Sequence, residues 1–121
     1  MKNFRDLQIW QRAHKLTLEV YRITHEFPKS ELNGIVSQMR RSSSSIPTNI
    51  AEGCGRNTEK DFARFLDNAM GSASELEYQL ILACDLGYVP RETFERTNNE
   101  LMEIKRMLNA FIQKLRAAPN R

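Results

Sequence analysis

Residues 38–53 read QMRRSSSSIPTNIAEG, and the conformation of this stretch decides the fold. Four consecutive serines followed by Ile-Pro ordinarily mark a loop or a disordered linker. The apolar phase around them opposes that reading. Leu32, Val36, Met39, Ser43, Ile46 and Ile50 follow one another at spacings of 4, 3, 4, 3 and 4, one face of a helix carried straight through the serines. Pro47 removes a backbone hydrogen bond and crowds the preceding turn, at a cost of about 3 kcal/mol in a helix interior. The hydroxyls of Ser43 and Ser44, four and three residues earlier, are placed to satisfy freed backbone groups. The expectation is a continuous helix kinked at Pro47. The alternative is two shorter helices broken at Ile46.

The same alternation recurs on either side. Ile9, Ala13, Leu16, Val20, Ile23 and Phe27 form a first seam, closed by Pro28, which pushes its predecessor out of helical conformation. Ser30 is the expected cap of the second helix, and Gly53 and Gly55 bracket its end, where a left-handed residue is usual. Thr58 with Asp61 resembles a capping box ahead of Phe62, Leu66, Ala69, Ala73, Leu76, Leu80 and Ala83. Gly87 stops that third helix. Pro90 suits the first turn of a fourth, with Phe94, Thr97, Leu101, Ile104, Leu108, Phe111 and Leu115 on its inner face. Helices over about residues 5–27, 30–53, 58–86 and 90–117, joined by short turns, predict one all-α domain over residues 1–121. The economical arrangement is an antiparallel up-down-up-down four-helix bundle. The alanines of the third helix predict close approach to its neighbours.

With 40% apolar and 27% charged residues the chain is too apolar for disorder. It has no run of roughly 20 apolar residues that would span a bilayer, and MKNFRDLQIW has no signal-peptide apolar centre, so a cytoplasmic protein without membrane contact is expected. Cys54 and Cys84 read as buried thiols. The net charge of +3 is uneven: residues 58–87 hold six acidic residues against two basic ones, while residues 1–29 and 88–121 each carry an excess of three positive charges. Any basic surface must therefore come from the other three helices.

The run RRSSSSIPTNIAEG resembles the signature of the four-helix-bundle proteins encoded in 23S rRNA intervening sequences, a family that includes the accessory variability determinants of diversity-generating retroelements. The likeness extends from FRDLQIW at residues 4–10 through Ala13, Tyr21, Phe27-Pro28 and Glu31, then Phe62, Phe65-Leu66, Gly71-Ser72, Glu75-Leu76-Glu77 and Gln79-Leu80, to Leu86-Gly87-Tyr88. It implies a small ring-like homo-oligomer, a pentamer, with a basic surface that binds RNA or DNA. In the retroelement branch it implies an adaptor held against a reverse transcriptase.

A second stripe on the first helix supports self-association. Leu7, Trp10, His14, Thr17, Tyr21 and Thr24 mix aromatic and polar residues, the composition of a subunit contact. Tyr78, Ile81 and Leu82 lie off the main seam of the third helix. Trp10, His14, Tyr21, Tyr78 and Leu82 are the candidate oligomer interface, and the alternative for Trp10 and Tyr21 is a wider intramolecular core.

Catalytic chemistry has little to stand on. The residues three before His14 and His25 are Gln11 and Arg22, so the Glu-x-x-His pairs of a di-iron bundle are missing, and neither histidine has zinc-site neighbours. No nucleophile elbow, Walker loop or dinucleotide fingerprint is present. Glu75 and Glu77 are two apart and cannot share a helix face. A non-enzymatic protein without cofactor or metal is expected. The nucleic-acid candidates are Arg40, Arg41 and Arg56, with Lys105, Arg106, Lys114 and Arg116 as a second group, and Ser42, Ser44 and Ser45 as hydroxyl donors to phosphate. In the helical register Arg41 points outward and Arg40 flanks the seam. The competing expectation pairs Arg40 with Glu52, Glu75 or Glu77 and leaves the C-terminal basic residues as a solvated face.

Overall fold

The computed structural model describes residues 3–117, and among these every regular element is helical. After a short 3-10 turn at Phe4–Asp6, capped by Asn3 accepting from the Arg5 N–H, come α1 (Gln8–Thr24), α2 (Ser37–Cys54), α3 (Glu59–Asp85) and α4 (Arg91–Ala117). Consecutive helices pack on one another, most extensively α2 with α3, and α1 closes the circuit against α4. The four seams meet in one core. Val20, Met39, Ser43, Ile46, Ile50, Leu66, Leu76, Leu80, Leu101, Ile104 and Leu108 are fully buried in it. Ala69, Ala73 and Ala83 of α3 are fully buried too, the small surfaces that let α2 and α4 approach.

α2 runs unbroken through Pro47, so the alternative of two helices broken at Ile46 does not hold. The helix survives because its polar groups are satisfied sideways. Pro47 has no N–H for the Ser43 carbonyl one turn back, and the hydroxyl of Thr17 on α1 donates to that carbonyl at 3.0 Å instead. This corrects the role expected of the serines. Ser43 and Ser44 donate to the Arg40 and Arg41 carbonyls, three residues earlier, and leave the freed carbonyl to a neighbouring helix. On the other flank Ser42 donates to Gln79 at 2.6 Å and Ser72 to Ser45 at 2.9 Å, joining α2 to α3 by hydroxyls and amide.

The beginning of α2 departs from expectation. Ser30 makes no cap; residues Lys29–Glu31 form a 3-10 turn and Leu32–Val36 a wide π-type turn with non-helical backbone at Gly34, so the regular helix starts at Ser37. The phase slips there, and Leu32, expected in the seam, is 57% exposed. α1 likewise ends at Thr24, with tighter turns carrying the chain to a still-buried Phe27. Neither Gly53 nor Gly55 is left-handed. Gly53 lies inside α2 against α3, where a Cβ would come within 2.8 Å of Phe62 and 2.9 Å of Phe65. The one positive-φ glycine among the described residues is Gly87 (φ 82°). It ends α3 with the Tyr88 N–H on the Ala83 carbonyl and the Gly87 N–H on the Cys84 carbonyl, the Schellman pattern. Thr58 caps α3 by accepting from the Asp61 N–H, while the Asp61 carboxylate accepts from Arg64 rather than closing the box. Pro90 sits one residue before α4 and accepts the Phe94 N–H.

Candidate nucleic-acid interface

Arg40 is the third residue of the QMRRSSSS run, and α2 turns it toward α1 while Arg41 faces solvent. The Arg40 guanidinium is pinned by Nε donating to the Thr24 hydroxyl at 2.9 Å and Nη2 donating to the Tyr21 carbonyl at 3.3 Å, and it lies 4.6 Å from the centroid of the Tyr21 ring. Thr24 is buried and itself donates to the Val20 carbonyl at 2.7 Å. The second stripe of α1 thus splits. Thr17 and Thr24 face α2 within one chain, whereas His14 and Tyr21 remain exposed. Arg41 donates to Ser37 at 3.1 Å. Among the described residues no carboxylate pairs with Arg40 or Arg41, which corrects the expected pairing of Arg40 with Glu52, Glu75 or Glu77.

Those carboxylates have other positions. Glu52 pairs with Arg56 at 3.7 Å, Glu77 accepts from Lys105 at 2.7 Å, and Glu75 lines a polar depression between α2 and α3. Arg56 also covers the Phe65 ring. The second basic group is largely neutralised: Arg106 pairs with Glu103, and Arg116 with Asp67. Arg12 reaches Glu100 at 2.7 Å and Glu103 at 3.8 Å. Hydrogen bonding from Arg106, reinforced by its charge and that of Arg12, holds the Glu103 carboxyl below the usual range, and the bond to Glu100 raises Arg12 above its ordinary value.

Two depressions adjoin at the α1–α2 end. One of about 500 Å³ is lined by Tyr21, Leu32, Asn33, Val36, Ser37, Arg40, Arg41 and Ser44; the other, about 270 Å³, shares Leu32, Val36 and Arg40 and adds Lys29 and His25 among its walls. None of the lining residues is acidic. The sequence pointed to Arg40 and Arg41. Lys29 was missed because the irregular turn after Pro28, which carries it to the same patch, leaves no periodic signal.

The remaining interface candidates are spread over the molecule. Trp10 is half-buried, edge-on to Phe4 and stacked on His14 with centroids 5.0 Å apart in each pair. Leu82 is half-buried against the core, whereas Tyr78 and Ile81 are exposed on α3. Among the described residues no three His, Cys, Asp or Glu side chains gather as metal ligands, and no helix is long and apolar enough to cross a membrane.

Fold and surface together define a small all-α bundle in which Lys29, Arg40 and Arg41 gather around two adjoining depressions. The chain belongs to the family of 23S rRNA-intervening sequence proteins, whose model matches residues 5–110. Among solved structures it is similar to a Bacteroides thetaiotaomicron protein of unknown function from the S23 ribosomal protein family. The two share 27% identity with a TM-score of 0.78, over 86% of this chain and 97% of the other. No curated protein matches it.

Proposed function

We propose that this protein binds nucleic acid, without transforming it, through the patch where α1 meets the start of α2. The observation that carries the reading is a contrast in pairing. Lys105, Arg106, Arg116 and Arg56 each face a carboxylate, while among the described residues Arg40 and Arg41 enter no ion pair; Arg40 lies beside depressions without an acidic wall, and Arg41 lies between one of these and the depression that Glu75 also lines. Such guanidinium groups keep their charge for phosphate, and the Ser37 hydroxyl, which accepts from Arg41, adds a donor at the same place. Contacts of this kind position a backbone and read no sequence. The family's description associates it with 23S rRNA intervening sequences, so RNA is the first polymer to test.

Self-association belongs to the same reading. One copy brings only Lys29, Arg40 and Arg41 to the two depressions, and a ring of five, the number the resemblance implies, would repeat the patch along a strand. Tyr78 and Ile81, 62% and 41% exposed on α3, offer an apolar surface for that contact. Light scattering that returns a 14.1 kDa species at micromolar concentration rejects the ring. For binding, Arg41→Ala and the double variant Arg40→Gln/Arg41→Ala should weaken affinity for RNA of any sequence and flatten its salt dependence. Unchanged affinity, or affinity insensitive to salt, overturns the assignment.

A further inference from the structure

We infer that the Arg40–Tyr21 pair is a stacking platform for one unpaired base, so that the patch takes single-stranded rather than duplex nucleic acid. The inference rests on the nucleic-acid reading above and specifies its ligand. Tyr21 is 45% exposed, although the bundle has core enough to bury an aromatic ring. The guanidinium over it does not swing in solvent: the Thr24 hydroxyl and the Tyr21 carbonyl fix it at two nitrogens, and Thr24 is anchored in turn to α1. Tyrosine rings and guanidinium planes are the two side-chain surfaces on which splayed-out bases stack.

The surroundings suit a nucleotide. Leu32, displaced outward by the irregular turn before α2, supplies an exposed apolar wall beside the ring, and Arg41 with the Ser37 hydroxyl lines the α2 side of the same depression, where a phosphate would meet them. Base and phosphate thus meet different chemistry in one depression. A duplex keeps its bases stacked inside and offers this patch its backbone alone. Arg40, Arg41 and Lys29, on walls without an acidic residue, favour an anionic occupant.

The test is fluorescence anisotropy of the full chain with three labelled probes: a short oligouridylate, an abasic strand of the same length, and duplex RNA. The wild type should bind the oligouridylate roughly tenfold more tightly than the abasic strand, since aromatic stacking contributes on that scale per base. Tyr21→Leu should lose this preference and keep its affinity for the abasic strand, while Tyr21→Phe retains both. The ring is exposed, so circular dichroism should show unaltered helix in either variant. A preference that survives Tyr21→Leu, or a wild type that binds duplex as tightly as single strand, overturns the inference alone. So does a change in mass by light scattering on Tyr21→Leu without a change in base preference, which would place a second copy over the ring. A wild type that binds none of the three probes removes the nucleic-acid reading itself.

Discussion

Thr17 shows how one hydroxyl can make an unfavourable residue tolerable. Pro47 leaves the carbonyl of the fully buried Ser43 without its helical donor, and Thr17 Oγ1, also 3.0 Å from the Ala13 carbonyl, supplies the missing bond from α1. A buried carbonyl left unsatisfied costs about 1–3 kcal/mol. Thr17→Val, which keeps the shape and deletes the donor, should lower the stability measured by urea denaturation by that amount. Pro47→Ala restores an N–H at residue 47, so the same change in that background should cost about 1 kcal/mol less. Equal costs in both backgrounds would remove the link between the two residues. The sequence pointed to the problem at Pro47 but not to its solution, because residues 17 and 43 are brought together only by packing of α1 on α2. Tyr88 is a second such case. Its hydroxyl donates to Glu31 at 2.8 Å, and that bond to a carboxylate, with some desolvation, raises the phenol above its ordinary value. The folded value lies above the unfolded one, so the contribution is complete below pH about 10 and fades as pH rises through the raised value. In an absorbance titration Tyr88 should ionise above the ordinary phenol value, and Glu31→Gln should bring it back down.

At the scale of the elements, the periodic parts of the chain were legible and the joins were not. The seams of α1 and α3 stand largely where their spacing places them, because a 3.6-residue repeat of apolar side chains has one way to bury itself against its neighbours, whereas on α4 Ile112 is buried and the expected Phe94, Phe111 and Leu115 are only half-buried. The start of α2 misleads for a definite reason: the wide turn at Leu32–Val36 adds an offset that keeps Ile35 and Val36 buried and turns Leu32 outward. Apolar spacing cannot register such an offset in advance. The end of α2 misleads differently, since a glycine near a helix terminus ordinarily reads as a cap. Gly53 instead permits a close approach of α2 to α3, with the Phe62 carbonyl 3.2 Å from a would-be Cβ as well as two phenylalanine side chains nearer still. Backbone and the base of a side chain cannot swing away, so Gly53→Ala should force the helices apart and lower stability by about 1–3 kcal/mol, read from the thermal midpoint. Gly55→Ala, where the nearest atom is 3.5 Å away, should be close to neutral. Equal effects at the two positions would mean that the helix end rather than the crossing sets the requirement.

For the whole molecule, charge balance matters less than which charges are already answered. The pI near 9.1 suggests a basic protein, yet many of its cations are already paired, some within one helix, as Arg106 with Glu103, and others on ion-pair ladders, α4 to α1 through Arg12 with Glu100 and Glu103, and α4 to α3 through Lys105 with Glu77 and Arg116 with Asp67. These ladders stitch the surfaces of helices whose cores are already joined, and exposed pairs of this kind contribute little each. Only spatial pairing separates them from Arg40 and Arg41, which is why sequence could nominate both basic groups alike. The two groups should therefore behave differently when nucleic acid binds. Each phosphate neutralised on a single strand releases counterions and contributes roughly 0.7 to the slope of log affinity against log salt. Arg41→Ala deletes a cation whose one side-chain hydrogen bond among the described residues is to Ser37, so it should reduce that slope by about 0.7 for each copy in contact with the strand, with little change in stability. Lys105→Ala deletes a cation already held 2.7 Å from Glu77 and should leave the slope where it was. If both substitutions lowered the slope equally, the strand would be sensing net charge over the entire bundle, and a localised patch at the α1–α2 end would no longer describe how this protein meets a polyanion.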